Sequence, residues 1–202
     1  TSTGIEVLDV GICPTPLLYF TLFERPVQGG VMITGSHNPA DFNGFKLCRG
    51  RESIYGDEIQ GIRKIIESQT FAKGKGEVEN YPGIIPQYTK VLEKQFKNTA
   101  KGFKVVVDSG NGTAGPIAPA LLRLMGCEVI ELYSEMDGRF PNHHPDPTVP
   151  ENLVDLIARV KAEHAAMGIG FDGDSDRLGV VDENGEVLWG DRLLIIFARD
   201  IL

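Results

Sequence analysis

Apolar positions along this chain fall into short runs, separated by stretches where they recur at helical spacing. Val7–Gly11, Gly30–Thr34 and Phe45–Arg49 read as strands. A helix is predicted over Pro14–Arg25, whose early prolines suit a first helical turn. Gly35–Gly44 is a polar loop. Asp57–Gln69 predicts an amphipathic helix with Ile59, Ile62, Ile65 and Ile66 on one side, a stripe that reads as core. Thr70–Pro82, with its Lys-Gly-Lys-Gly, is the best candidate for a linker. Beyond it come a helix near Ile84–Lys97, a strand at Lys104–Asp108, a helix over Pro116–Met125 and a strand at Cys127–Leu132. Ser134–Glu151 is a loop rich in Pro and His, long enough to expect a task of it. Asn152–His164 reads as a helix and Gly168–Asp172 as a strand. Leu178–Asp182 and Glu186–Trp189 read as a hairpin around Glu183-Asn184-Gly185.

Repeated βα units imply an α/β fold, with mixed or parallel sheets flanked by helices. The texture divides the chain into 1–82, 83–189 and 190–202. The middle stretch looks like a complete domain and the first like an incomplete one. Asp191–Leu202 is helical and apolar at Leu193, Leu194, Ile196, Phe197 and Leu202. A helix of that kind packs on something, so the chain is expected to be a fragment of a longer protein.

Composition narrows the setting. The formal net charge of -8 disfavours general nucleic-acid binding, which needs a basic face to replace counterions. No apolar run is long enough to span a bilayer, so no membrane role is expected. Cys13, Cys48 and Cys127 are far apart and form no CxxC pair, which argues against a disulfide framework or a zinc site. A cytoplasmic location is expected.

The strongest chemical signal is Asp172-Gly173-Asp174-Ser175-Asp176-Arg177, directly after an apolar strand. In an extended chain alternate side chains share a face, which would gather the carboxylates. Like charges held together require a cation or proton uptake, and oxygen-only ligands suit Mg²⁺ or Ca²⁺. Arg177 adds a fork suited to a phosphate. A solvated acidic turn balanced by Arg177 accounts for the same residues. So does a calcium loop, with Asp172, Asp174, Asp176 and Glu183 at EF-hand positions; against it, Arg177 falls where that loop needs glycine.

A second signal is Thr34-Gly35-Ser36-His37-Asn38-Pro39, a turn that exposes a hydroxyl beside an imidazole. On its own it reads first as a turn whose Ser36 and Asn38 bond the backbone. A third is Gly110-Asn111-Gly112-Thr113-Ala114-Gly115, a GxGxxG between strand and helix, with Glu131 at the distance expected for gripping a ribose hydroxyl. It is the basis of a competing reading, a nicotinamide-dependent oxidoreductase, although the glycines also serve a tight strand-to-helix turn. His143 and His144, adjacent in the long loop, read as structural rather than as metal ligands.

Gly35–Pro39 with Asn43-Gly44-Phe45-Lys46, followed by Asp172–Arg177, resembles the α-D-phosphohexomutase family. Val107–Gly112 and Phe140–Pro147 support the likeness, which extends over essentially the whole chain. The resemblance implies a magnesium-dependent enzyme that interconverts hexose 1-phosphate and 6-phosphate through a phosphoserine and a hexose 1,6-bisphosphate. Ser36 would carry the phosphate. Ser36, Asp172, Asp174 and Asp176 would hold one Mg²⁺. His37 and Asn38 would shape the phosphoserine loop, with Asn38 counted among the phosphate-binding residues. Lys46 would stabilise charge or move a proton, and Arg177 would hold the anion. The phosphoserine loop would lie in a partial domain 1 (1–82) and the metal loop in domain 2 (83–189), with 190–202 the first helix of domain 3. Domains 3 and 4, which read the sugar and grip its phosphate, would be missing, and the fragment would turn over substrate poorly.

Overall fold

The computed structural model describes residues 1–39 and 41–202. Ala40, within the loop expected over Gly35–Gly44, lies outside the described residues. The first unit opens with β1 (Val7–Asp9) and α1 (Thr15–Glu24), followed by an antiparallel sheet of β2 (Gly29–Ile33), β3 (Phe45–Arg49) and β4 (Glu52–Ser53). Period-two alternation gives this sheet two different faces. Leu18 and Leu22 of α1 pack against Cys48 and Met32 on one of them. The helix lies so close that a Cβ on Gly30 would fall 2.6 Å from Leu18 Cδ1. Val31, Ile33 and Phe45 are exposed.

Two expectations are corrected here. α2 (Asp57–Ser68) forms as the periodicity predicts, but its isoleucine stripe is not core. No residue of α2 is buried, and Ile59, Ile65 and Ile66 are 40%, 47% and 57% exposed. Periodicity shows which residues share a side of a helix; whether another element covers that side is a separate matter. The segment Thr70–Pro82 is not a free linker. It contains β5 (Val78–Asn80), which pairs in parallel with β1 from Val7↔Val78 to Asp9↔Asn80. Gly74 bridges to Thr3, where a Cβ would fall 2.6 Å from Gly4 Cα. The glycines of Lys-Gly-Lys-Gly therefore permit backbone contact.

The second unit is a five-stranded mixed sheet in the order β10-β9-β8-β6-β7. β6 (Lys104–Asp108) lies parallel to β7 (Glu128–Leu132) and β8 (Met167–Phe171); β9 (Leu178–Asp182) and β10 (Val187–Leu188) continue antiparallel. The unbroken Val105-Val106-Val107 run reflects burial on both faces. Val106 meets α5 (Val154–Glu163) through Leu156 and Val160, while Val105 and Val107 meet Leu122 of α4 (Ala118–Leu124). Leu156 is fully buried. Leu156→Ala is expected to cost about 3 kcal/mol of stability, measured by denaturant unfolding.

α3 (Ile84–Phe96) joins the units. Ile84 is buried with Cys13 and Leu17 from the first unit and Ile117 from the second, and Tyr88 stands edge-on to Phe20. This shared core fixes the loop after β2 against the loop after β8. α6 (Gly190–Ile201) ends the described chain, with Leu193 buried and Leu194, Ile195, Ile196 and Phe197 exposed. No helix among the described residues is long and apolar enough to cross a membrane.

Candidate active site

The loop after β2 turns sharply at Ser36, which adopts φ 51°. The Ser36 N–H donates to Thr34 Oγ1 at 2.8 Å, and the Asn38 N–H closes the turn on Gly35 O at 2.8 Å. These bonds present Ser36 Oγ to the second unit, where it donates to Asp172 Oδ2 at 2.8 Å. His37 Nδ1 lies 3.1 Å from the same hydroxyl and Arg177 Nη2 3.2 Å from it. Arg177 also donates to His37 Nδ1, and its Nε stands 3.3 Å from Asp172 Oδ2. Arg177 and Ser36 both meet His37 Nδ1, and the Ser36 hydroxyl proton is directed at Asp172 Oδ2.

The loop after β8 gathers its carboxylates by a route the sequence did not suggest. The chain leaves the extended conformation at once. Ser175 N–H donates to Asp172 O at 3.0 Å, Arg177 N–H donates to Asp172 Oδ1 at 3.0 Å, and Ser175 adopts φ 61°. A turn, not alternation along a strand, brings one oxygen each of Asp172, Asp174 and Asp176 within 4.8 Å of the others. Asp172 and Asp174 are buried and Asp176 is exposed. Burial, with Asp174 and Asp176 close by, pushes the Asp172 carboxyl up, against the bonds from Arg177 N–H and Ser36. Burial would also push Asp174 up, but Lys46, Thr15 and Thr34 hold it down to about 2. Lys46 Nζ lies 2.6 Å from both Asp174 Oδ2 and Asp176 Oδ2. These carboxylates overcome its burial and raise its pKa.

The donor set fits a hard divalent cation. It is all oxygen. Asp174 Oδ1 is buried with no hydrogen-bond partner among the described residues, and Lys46 already brings positive charge to the cluster. The EF-hand reading fails, because the flanks are β8 and β9 and Glu183 is exposed at the far end of β9.

The GxGxxG face is filled by protein, which removes the dinucleotide reading. A Cβ on Gly112 would fall 2.7 Å from Gly173 O, and Thr113 N–H donates to that oxygen at 3.0 Å. A Cβ on Gly115 would fall 1.9 Å from Ser134 O. The glycines admit the aspartate loop and the chain after β7, and Glu131 is paired with Arg123 at 2.7 Å.

The long loop braces this arrangement. His143 Nε2 lies 2.9 Å from Asp108 Oδ2 and its Nδ1 2.9 Å from His144 O. A carbonyl and a carboxylate both accept, so the two contacts favour the doubly protonated ring. Burial lowers the His143 pKa, but Asp108 and the His144 carbonyl outweigh it and the net shift is upward. A pKa raised on folding stabilises the fold fully below the unfolded imidazole value of about 6.5. That contribution fades as pH rises through the higher folded value. His143→Gln should therefore cost most stability at mildly acidic pH and least in alkali. Denaturant titrations of both proteins across pH test this; a deficit constant with pH would refute it.

Of the residues singled out in the sequence, Ser36, His37, Lys46, Arg177, Asp172, Asp174 and Asp176 converge. Asn38 is exposed and contributes its backbone N–H. Thr15 and Thr34, both bonded to Asp174 Oδ2, were not foreseen. The sequence marks Thr34 only as the first residue of the serine motif.

Two α/β units thus set a loop serine against a carboxylate cluster. Residues 1–73 match the family model for phosphoglucomutase/phosphomannomutase α/β/α domain I, and residues 86–185 match the model for domain II. The chain belongs to the phosphoglucomutase/phosphomannomutase family. It is 52% identical over 199 residues to a phosphomannomutase/phosphoglucomutase of Pseudomonas aeruginosa, covering 98% of this chain and 42% of that protein. A Neisseria meningitidis phosphoglucomutase is 44% identical over 203 residues, with 44% of that protein covered. The crystal structure of a phosphoglucomutase/phosphomannomutase family protein from Burkholderia thailandensis superposes with a TM-score of 0.94 at 46% identity, over 100% of this chain and 45% of that one. The chain thus spans less than half the length of these relatives.

Proposed function

We propose that this chain carries the phosphoserine half of a phosphosugar mutase, a protein that interconverts hexose 1-phosphate and hexose 6-phosphate through a hexose 1,6-bisphosphate. The observation that carries the reading is the Ser36 hydroxyl donating to Asp172 beside Arg177 and the carboxylate cluster. Phosphoryl transfer depends on positioning and on neutralising oxygen charge. Ser36 Oγ is the acceptor: as its bond to phosphorus forms, the phosphorus–oxygen bond to the sugar breaks, and the Ser36 proton leaves along its hydrogen bond to Asp172 Oδ2. Arg177 holds the phosphoryl oxygens through its fork. The departing sugar oxygen needs a proton, and Lys46 can give it, since Arg177 stays charged. His37 and the Asn38 backbone keep the loop in shape. Asp172, Asp174 and Asp176, with Ser36, would hold one Mg²⁺, which when bound supplies positive charge to the phosphoryl oxygens.

We assign residues 1–82 and 83–189 to domains 1 and 2, and 190–202 to the start of domain 3. The sugar-reading and phosphate-gripping segments belong to the rest of a protein of the relatives' length. The cytoplasm suits the free thiols of Cys13, Cys48 and Cys127. Incubation with glucose 1,6-bisphosphate and Mg²⁺, followed by peptide mapping, tests the reading. One phosphoryl group is expected on Ser36 and none in Ser36→Ala; an unmodified Ser36 would sink the proposal. Hexose phosphate conversion by this chain alone is expected to run at least about a hundredfold below that of a full-length relative, because the chain spans less than half of such a relative and positioning of the substrate depends on groups outside it. A coupled assay showing comparable rates would refute the division of the site.

A further inference from the structure

Asp174 is held unlike its neighbours. Its Oδ2 accepts three bonds: from Thr15 Oγ1 at 2.9 Å, Thr34 Oγ1 at 3.0 Å and Lys46 Nζ at 2.6 Å. Its Oδ1 is buried and accepts none among the described residues. A carboxylate oxygen has about two lone-pair positions, so Oδ2 is saturated and Oδ1 is open. The threonine protons have little freedom to turn elsewhere. Thr34 Oγ1 already accepts from Ser36 N–H at 2.8 Å, and Thr15 Oγ1 is approached by Lys46 Nζ at 3.5 Å, so each hydroxyl's donor role falls to Asp174. The Thr15 backbone N–H also donates to Asp174 O at 2.8 Å, which fixes the main chain as well as the side chain. Thr15 is fully buried. Both threonines belong to the first unit and Asp174 to the second, 159 and 140 positions away, so this clasp forms only when the units dock.

We infer that Thr15 and Thr34 determine which divalent ion the site accepts, by occupying Asp174 Oδ2 and leaving the carboxylate able to offer Oδ1 alone. Mg²⁺ takes single oxygens in a tight octahedron, whereas Ca²⁺ gathers six to eight oxygens and readily uses both oxygens of one carboxylate. A carboxylate with one oxygen pre-empted serves the smaller ion and withholds a ligand from the larger. The threonines are thus positioning residues for cation choice, an inference that rests on the carboxylate cluster being a cation site.

Isothermal titration of the chain with MgCl₂ and separately with CaCl₂ provides the test, on the unsubstituted protein, the double variant Thr15→Val/Thr34→Val and the double variant Thr15→Ser/Thr34→Ser. The double valine variant, which leaves Lys46 alone on Oδ2, is expected to raise the calcium-to-magnesium affinity ratio by about threefold to tenfold, and the double serine variant to keep the original ratio. General loosening of the fold would weaken both ions together and leave the ratio in place, and that result would overturn the inference. So would a serine variant that shifts the ratio as far as valine does. If the double valine variant does not fold, Thr15→Ala/Thr34→Ala, which also removes both hydroxyls, carries the same test. An unsubstituted chain that binds neither ion would defeat the cation site itself, a failure distinct from an unchanged ratio.

Discussion

Asp174→Asn is expected to lower Mg²⁺ affinity by about a hundredfold or more, measured by calorimetric titration. The substitution keeps the shape of the side chain, so the loss isolates charge and donor character. In one orientation the amide oxygen faces Thr15, Thr34 and Lys46, and the NH₂ group takes the buried place of Oδ1, presenting protons where a cation needs an oxygen. In the other the NH₂ group meets the Lys46 ammonium and the hydroxyls that now donate to Oδ2. Neither arrangement satisfies the cluster. An affinity within about threefold of the unsubstituted chain would show that Asp174 is not a ligand. Acid should act first through the neighbouring residue. The Asp172 carboxyl is pushed up by burial, so it takes up a proton before Asp174, which is held at about 2.

Gly173→Ala is expected to cost about 3 kcal/mol or more and to abolish phosphate uptake at Ser36. A Cβ there would lie 2.2 Å from Ser36 O and 3.2 Å from its carbonyl carbon, and neither atom can rotate away as a side chain would. The two loops would have to separate, which breaks the Ser36–Asp172 bond. Gly138→Ala, where a Cβ meets nothing within 4 Å, is the matched control and should be close to neutral. Denaturant unfolding and peptide mapping of Ser36 read both effects. A Gly173→Ala protein of ordinary stability that still takes up phosphate would show that the loops do not touch as described.

Much of this was legible in the residues. The strand Lys104–Asp108 announces itself because local apolar patterning and tertiary burial agree there. The serine and aspartate loops were legible as chemistry because their residue types are costly to place without a use. The route by which Asp172, Asp174 and Asp176 meet was misread: alternation suggests a strand, but a left-handed Ser175 in a bond-closed turn does the gathering. The α2 stripe shows a second limit, since local periodicity cannot report whether anything covers a helix. The GxGxxG was ambiguous for a third reason. Glycine marks close approach without saying to what, and only the position of Gly173 shows that the visitor is protein. Thr15 and Thr34 were invisible because their partner is distant in the chain, and a threonine before proline at a helix start has an ordinary local explanation.

The contact between the loops has a mechanical consequence. Pro145 lies against Gly110 and Gly173, where it would stand 3.1 Å and 3.5 Å from added Cβ atoms, and Gly173 in turn lies against the Ser36 carbonyl. The column is built from main chain and one rigid ring, with no flexible side chain in the stack to act as a spring. The approach of the Ser36 main chain to Gly173 is therefore limited by atomic radii rather than by the rotamer of any side chain in the stack.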